Sequence, residues 1–294
     1  MPSTKSSMPA LQPQTLITGL AFGESLRWHE GRLWLADWGT RELMAIAPDG
    51  GREVVVRFPY PSFQAICIDW LRDGRLLIVS SRDAVLLRRE LDGALVTHAD
   101  LRATSGRGWN EIVVDGRGNA YVNAVGFDLM AGETFAPGTI VRVAPDGEVR
   151  AVAGGIAFPN GMAVTSDNST LIVAESYAKK LTAFDITADG SLSNRRVWAD
   201  LGDGIPDGIC LDAEGAVWYA DVPNKRCVRV REGGEVLQTV DLDRGCFACM
   251  LGGEDEMTLF LVAQEWHGLD SAADNRRTGR VLTVGAPARH AGWP

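Results

Sequence analysis

A repeat of roughly 40 to 50 residues leaves few architectures open to this chain. Six segments align: Glu24-Ser-Leu-Arg-Trp-His29, Gln64-Ala-Ile-Cys-Ile-Asp69, Asn110-Glu-Ile-Val-Val-Asp115, Asn160-Gly-Met-Ala-Val-Thr165, Asp207-Gly-Ile-Cys-Leu-Asp212 and Phe247-Ala-Cys-Met-Leu-Gly252. Their first positions lie 40, 46, 50, 47 and 40 residues apart. After each start comes a turn rich in Gly, Asp or Asn, such as Asp115-Gly116-Arg117-Gly118 or Asp212-Ala213-Glu214-Gly215. These residues tolerate the backbone of tight hairpins. A second apolar strand follows, as at Leu76–Ser80 or Val217–Ala220, then a third ending in turns like Pro145-Asp146-Gly147. A short fourth strand, such as Glu53–Phe58 or Glu235–Val240, leads to the next repeat. No long 3.6-residue period intervenes. The pattern predicts an all-β, six-bladed β-propeller with four-stranded blades. Gln14–Thr18 is expected to pair with the last blade near Arg280–Val284, closing the ring and covering its strand edges.

The 294 residues are expected to divide into a flexible tail at 1–13 and one propeller domain at 14–294. A chain this long can bury a large core without disulfide or metal staples. The formal net charge of −9 argues against a nucleic-acid partner, which needs a basic face, and against adhesion to anionic membranes. No run approaches the roughly 18 apolar residues of a spanning helix. The N-terminal residues lack the apolar stretch of a secretory signal. The five cysteines, Cys67, Cys210, Cys227, Cys246 and Cys249, show no disulfide framework, and no second pair complements Cys246/Cys249 as a zinc half-site. A cytoplasmic location is the expectation from this usage.

The repeat also makes a chemical prediction. In a propeller the innermost strands line a central channel, so equivalent positions meet at its mouth. Here these are Glu24, Gln64, Asn110, Asn160, Asp207 and Phe247. Two carboxylates converging on a narrow mouth repel unless something compensates them. Glu24, Asp207 and the Asn160 amide oxygen offer hard donors for one divalent cation. Oxygen ligands suit Ca²⁺ first, with Mg²⁺, Mn²⁺ or Zn²⁺ as alternatives. The loops after the second strands open on the same face. The longest, Asn123 to Pro137, carries Phe127, Met130 and Phe135 and is a candidate lid. His267 lies in another of these loops, outside the ring. Trp34, Trp38, Trp70, Trp198 and Trp218 are expected to pack between blades.

At these residues the chain resembles the senescence-marker protein/gluconolactonase/luciferin-regenerating-enzyme family of six-bladed propellers. The resemblance rests on an ordered series spanning about Leu16 to Pro294. It comprises Gly23-Glu24-Ser25-Leu26-Arg27-Trp28, Asn110 to Asp115, Phe158-Pro159-Asn160-Gly161-Met162, Pro206-Asp207-Gly208-Ile209 and Phe247 to Gly253. It implies that Glu24, Asn160 and Asp207 hold the metal, and that Asn110 lies at the metal or touches substrate. It also implies that Asp207 acts as the base or orients water. Many members carry Arg two residues before the blade-three Asn and Asp after it. Here position 108 is Gly, the arginine is Arg107 and the acid is Glu111.

The expected activity is a metal-dependent lactonase, a carboxylic ester hydrolase acting on a small-molecule lactone. Asp207 is the catalytic candidate. Asn110, Gln64, Arg107, Glu111 and Phe247 are the substrate-binding candidates, with Phe247 as an apolar wall. The alternatives are a phosphotriesterase-like hydrolase of the diisopropyl-fluorophosphatase type and a non-catalytic calcium-binding or interaction propeller.

Overall fold

The computed structural model describes residues 12–104, 106–129, 131–268 and 276–293. Most of the expected tail, and Met130 of the expected lid, lie outside the described residues. The strands are β1 (Gln14–Leu20), then β2 (Gly23–His29), β3 (Arg32–Asp37), β4 (Glu42–Ile46) and β5 (Arg52–Arg57) in blade one. Blade two holds β6 (Ile66–Trp70), β7 (Leu76–Ser80), β8 (Val85–Arg89) and β9 (Leu95–Asp100). Blade three holds β10 (Trp109–Val114), β11 (Ala120–Ala124), β12 (Gly138–Val143) and β13 (Val149–Ile156). Blade four holds β14 (Pro159–Val164), β15 (Thr170–Glu175), β16 (Lys180–Ile186) and β17 (Leu192–Asp200). Blade five holds β18 (Pro206–Leu211), β19 (Val217–Asp221), β20 (Arg226–Val230) and β21 (Val236–Asp241). Blade six holds β22 (Gly245–Gly252), β23 (Thr258–Gln264) and β24 (Gly279–Gly285).

Five blades are complete four-stranded meanders, and β1 supplies the outer strand of the sixth. Gln14 pairs with Thr283 and Leu20 with Gly279, so the ring closes where the sequence predicts. Each inner strand packs on the next, and β22 returns to β2. The inner and second strands are buried by neighbouring blades on both faces, and so read as near-continuous apolar runs. β7 and β22 are buried at every residue, whereas outer strands such as β9 and β13 are half exposed.

Trp198 and Trp218 are buried between blades, and Trp34 meets Trp70 edge-on at 5.2 Å, as packing residues should. Trp38 departs from that expectation. It packs against three apolar clusters but also faces the axial cavity. All five cysteines are free and buried. Cys210 and Cys249, on adjacent inner strands, bring their sulfurs within 4.0 Å.

The two ends of the channel differ. At the C-terminal ends of β14 and β18, Ala291 and Trp293 lie across the inner strands. Trp293 exchanges two backbone hydrogen bonds with Val164, each 2.8 Å, and the Ala291 N–H donates to the Leu211 carbonyl. The opposite end, where the inner strands begin, opens into the cavity.

Candidate metal centre and substrate cavity

Five of the six inner strands carry one extra residue at their start. The register shifts fall between Glu24 and Arg27, Trp109 and Ile112, Pro159 and Met162, Pro206 and Ile209, and Cys246 and Ala248. A bulge there disrupts the ladder and re-aims a side chain. It lifts Asn110, Asn160, Asp207 and Phe247 out of regular pairing and turns the strand entrance toward the axis. Ser25, within the first bulge, and Phe158, just before the third, have left-handed φ values of 52° and 59°, which non-glycine residues seldom adopt. Gly161 and Gly208 let the strands converge. A Cβ on Gly161 would meet the Ile209 nitrogen at 2.5 Å, and one on Gly208 the Ala248 Cα at 2.9 Å.

All six residues that the repeat predicts at the axis, Glu24, Gln64, Asn110, Asn160, Asp207 and Phe247, line one cavity of about 810 Å³. Asn110 Nδ2 donates to Asn160 Oδ1 at 3.3 Å and to the Pro159 carbonyl at 3.3 Å. Asn160 Nδ2 reaches Ser176 Oγ at 3.5 Å, and the Asn160 side chain also hydrogen-bonds Asp207. Glu24 is buried and accepts a hydrogen bond from the Ser25 N–H at 3.3 Å. Neither Glu24 nor Asp207 forms an ion pair with any described basic side chain.

The electrostatics follow from that. Desolvation pushes the Glu24 carboxyl well above the usual carboxylate range, and the charges of Asp207 and Glu111 push it further. Desolvation likewise raises Asp207, with Glu111 adding to it and the Asn160 hydrogen bond opposing. The floor therefore holds two carboxylates that resist ionising together. Among the described residues no group of three or more His, Cys, Asp and Glu gathers as a ligand set. The donors here are two carboxylates and an amide oxygen. Their uncompensated charge and hard oxygens fit a divalent cation.

Glu111, a substrate-binding candidate from the sequence, does not line the cavity. It lies beneath the floor in a buried polar network. Arg27 Nη2 pairs with Glu111 at 3.1 Å, and Arg27 Nε lies 4.0 Å from Asp69. Ser25 Oγ donates to Glu111 at 3.4 Å and accepts from the Ile68 N–H at 2.9 Å. Burial raises Asp69 to about 6 even with Arg27 beside it. This network ties blades one, two and three together below the ring. Arg107 is at the rim, exposed, and pairs with Glu133 of the long loop at 2.9 Å. That loop brings Phe127, Asp128 and Leu129 to the cavity. His267 is exposed, approaches Glu265 at 3.8 Å and lies outside the main cavity.

Two positioning residues escape the sequence reading. Asn123 Nδ2 donates to the Asn160 carbonyl at 2.7 Å, while its Oδ1 accepts from the Glu111 N–H at 3.2 Å. Ser176 Oγ donates to the Pro206 carbonyl at 2.7 Å. Each sits at or just after the end of a second strand and holds the bulged entrance of the next blade. Their place in the repeat was the only available signal.

Fold and site together define a class: a six-bladed propeller presenting acidic and amide side chains at one mouth of its axis. The chain belongs to the SMP-30/gluconolactonase/LRE-like family, whose model matches residues 22–265. It is similar to the pentonolactonase XacC of Haloferax volcanii, 26% identical over 263 residues, which cover 87% of this chain and 86% of that protein. Among solved structures it resembles a luciferin-regenerating enzyme, with TM-score 0.81 and 19% identity over 96% of this chain and 98% of that one. A calcium-binding protein, regucalcin, from Agrobacterium tumefaciens matches with TM-score 0.79 and 22% identity over 97% of each chain. At these identities the structural likenesses establish the fold.

Proposed function

We propose that this protein is a divalent-metal-dependent lactonase. One observation carries the reading: Glu24 and Asp207 share a cavity with Asn160 and have no ion-pair partner among the described residues. Family membership and the similarity to a pentonolactonase support the choice of reaction. Glu24, Asp207 and the Asn160 oxygen would hold the cation, Ca²⁺ first among the candidates. When bound, it supplies Lewis acidity that polarises an ester carbonyl and offsets charge building on its oxygen.

The side chains do the rest. The Asp207 carboxylate orients a water and accepts its proton as the water attacks the carbonyl carbon. Asn110 and Gln64 hold the lactone by hydrogen bonds, and Phe247 packs against its apolar side. Arg107 stands at the entrance, linked to the loop through Glu133. Glu111 acts from below, where its charge raises the proton affinity of both floor carboxylates.

The test is hydrolysis of a lactone panel before and after removal of metal with EDTA. Activity is expected to vanish on chelation and return with Ca²⁺. Asp207→Asn is expected to lower kcat by about 100-fold or more. Turnover that persists after verified metal removal would refute the mechanism.

A further inference from the structure

The walls of the cavity are apolar where a polyhydroxylated substrate needs hydrogen bonds. On the side of blades six, one and two, Phe22 stacks on Trp38 with centroids 5.6 Å apart. It meets Phe63 and Phe247 edge-on, each at 5.1 Å. Trp266 closes this wall 5.6 Å from Phe247. Across the axis, on blades three and four, Phe158 stacks on Tyr177 at 4.7 Å, and Phe127 meets Phe158 at 5.9 Å. Two of the polar groups on these walls are already engaged. Trp38 Nε1 donates to the Ile66 carbonyl at 2.7 Å, and Ser176 Oγ donates to Pro206. Besides the ring residues, the charged side chains of the lining are Arg82, Arg107 and Asp128, and aromatic rings make up much of the remainder. The volume, about 810 Å³, suits a ligand much larger than a bare six-carbon lactone ring.

A sugar ring can stack on an aromatic face, but its hydroxyls then need partners. Burying a hydroxyl without one is costly, whereas an aryl group between two aromatic walls leaves nothing unpaired. We propose that the site takes lactones bearing a bulky apolar substituent, aryl in the best case. The substituent lies between the two aromatic walls, and the ester carbonyl reaches the floor of Glu24, Asn160 and Asp207. The bond broken and the water consumed are those of ordinary lactone hydrolysis. This inference rests on the lactonase reading and narrows its substrate class.

The experiment uses the full chain loaded with Ca²⁺. Values of kcat/KM are measured for dihydrocoumarin and a phenyl-substituted γ-butyrolactone, against unsubstituted γ-butyrolactone and gluconolactone. The aryl lactones are expected to lead gluconolactone by at least ~10-fold. Phe63→Ala and Tyr177→Ala, one from each wall, are expected to cost the phenyl lactone ~10-fold more than they cost γ-butyrolactone. Binding is measured separately by calorimetry, with the lactam counterparts of dihydrocoumarin and gluconolactone, so that turnover is not needed. The aryl lactam is expected to bind ~10-fold tighter. Preference for the sugar compound in both rate and binding, or equal binding of the two lactams, overturns this proposal and leaves the lactonase reading standing. Tighter binding of the aryl lactam with no lactone hydrolysed overturns the catalytic reading and the substrate class that rests on it, and leaves an aryl-binding cavity.

Discussion

Glu24 and Asp207 are the residues whose charge state matters most. Their protonated forms are favoured in the metal-free fold, because burial first, then the charges of Asp207 and Glu111 on Glu24 and of Glu111 on Asp207, raise both above their ordinary values. A folded carboxyl raised in this way binds its proton more tightly than the unfolded chain does. Its contribution to stability is full below the ordinary carboxylate range and is lost as pH rises through the folded value. The metal-free protein should therefore lose stability from these two groups as pH rises toward neutrality. A cation competes with those protons. The stabilisation by Ca²⁺ should be smaller at acidic pH than at neutral pH and above, reaching about 2.7 kcal/mol at a hundredfold excess over Kd. Calorimetry with and without Ca²⁺ checks this; a shift independent of pH would count against a carboxylate site. Glu24→Gln should abolish the shift. At this scale the sequence made Glu24, Asn160 and Asp207 legible, because each occupies the same place in its repeat. It did not reveal that Arg27 faces both Asp69 and Glu111 beneath them. Charge pairing between residues more than forty positions apart leaves no local pattern.

The functional device at the scale of elements is the bulged entrance of the inner strands. Asn160-Gly161 and Asp207-Gly208 combine a side chain aimed at the axis with a glycine that admits the neighbouring strand. Gly208→Ala would drive a Cβ to 2.9 Å from the Ala248 Cα and 3.1 Å from the Phe247 carbonyl oxygen. Backbone cannot give way as a side-chain tip does. The substitution is expected to cost about 1–3 kcal/mol in urea denaturation and to weaken Ca²⁺ binding by shifting Asp207. Unchanged stability would mean that blades five and six can separate without penalty. The strands themselves were readable from apolar runs and Gly/Asp turns. The bulges were not, since an extra residue in a ladder shows only once the partner strand and its register are known. The same holds for Asn123 and Ser176, which look like ordinary loop polar residues until the strands that they brace are in place.

The whole molecule depends on closure. Blade six is complete only with β1, which contributes the buried Ile17 and Leu20 from the other end of the chain. Deleting residues 1–20 should expose the edge of β24 and cost on the order of 5 kcal/mol, measured by thermal denaturation, with aggregation through the open strand. A variant as stable as the full chain would show that the ring does not need this strand. The sequence by itself determined the number of blades, their strand order, the closing pair and the six residues at the axis. All of these follow from a period, and a period is a local property repeated. Only the tertiary structure decided which aromatic rings face one another across the cavity, which charges are paired below its floor and which mouth of the channel stays open. Those are contacts between blades, made by residues tens to hundreds of positions apart, and no single repeat encodes its neighbour's side chains.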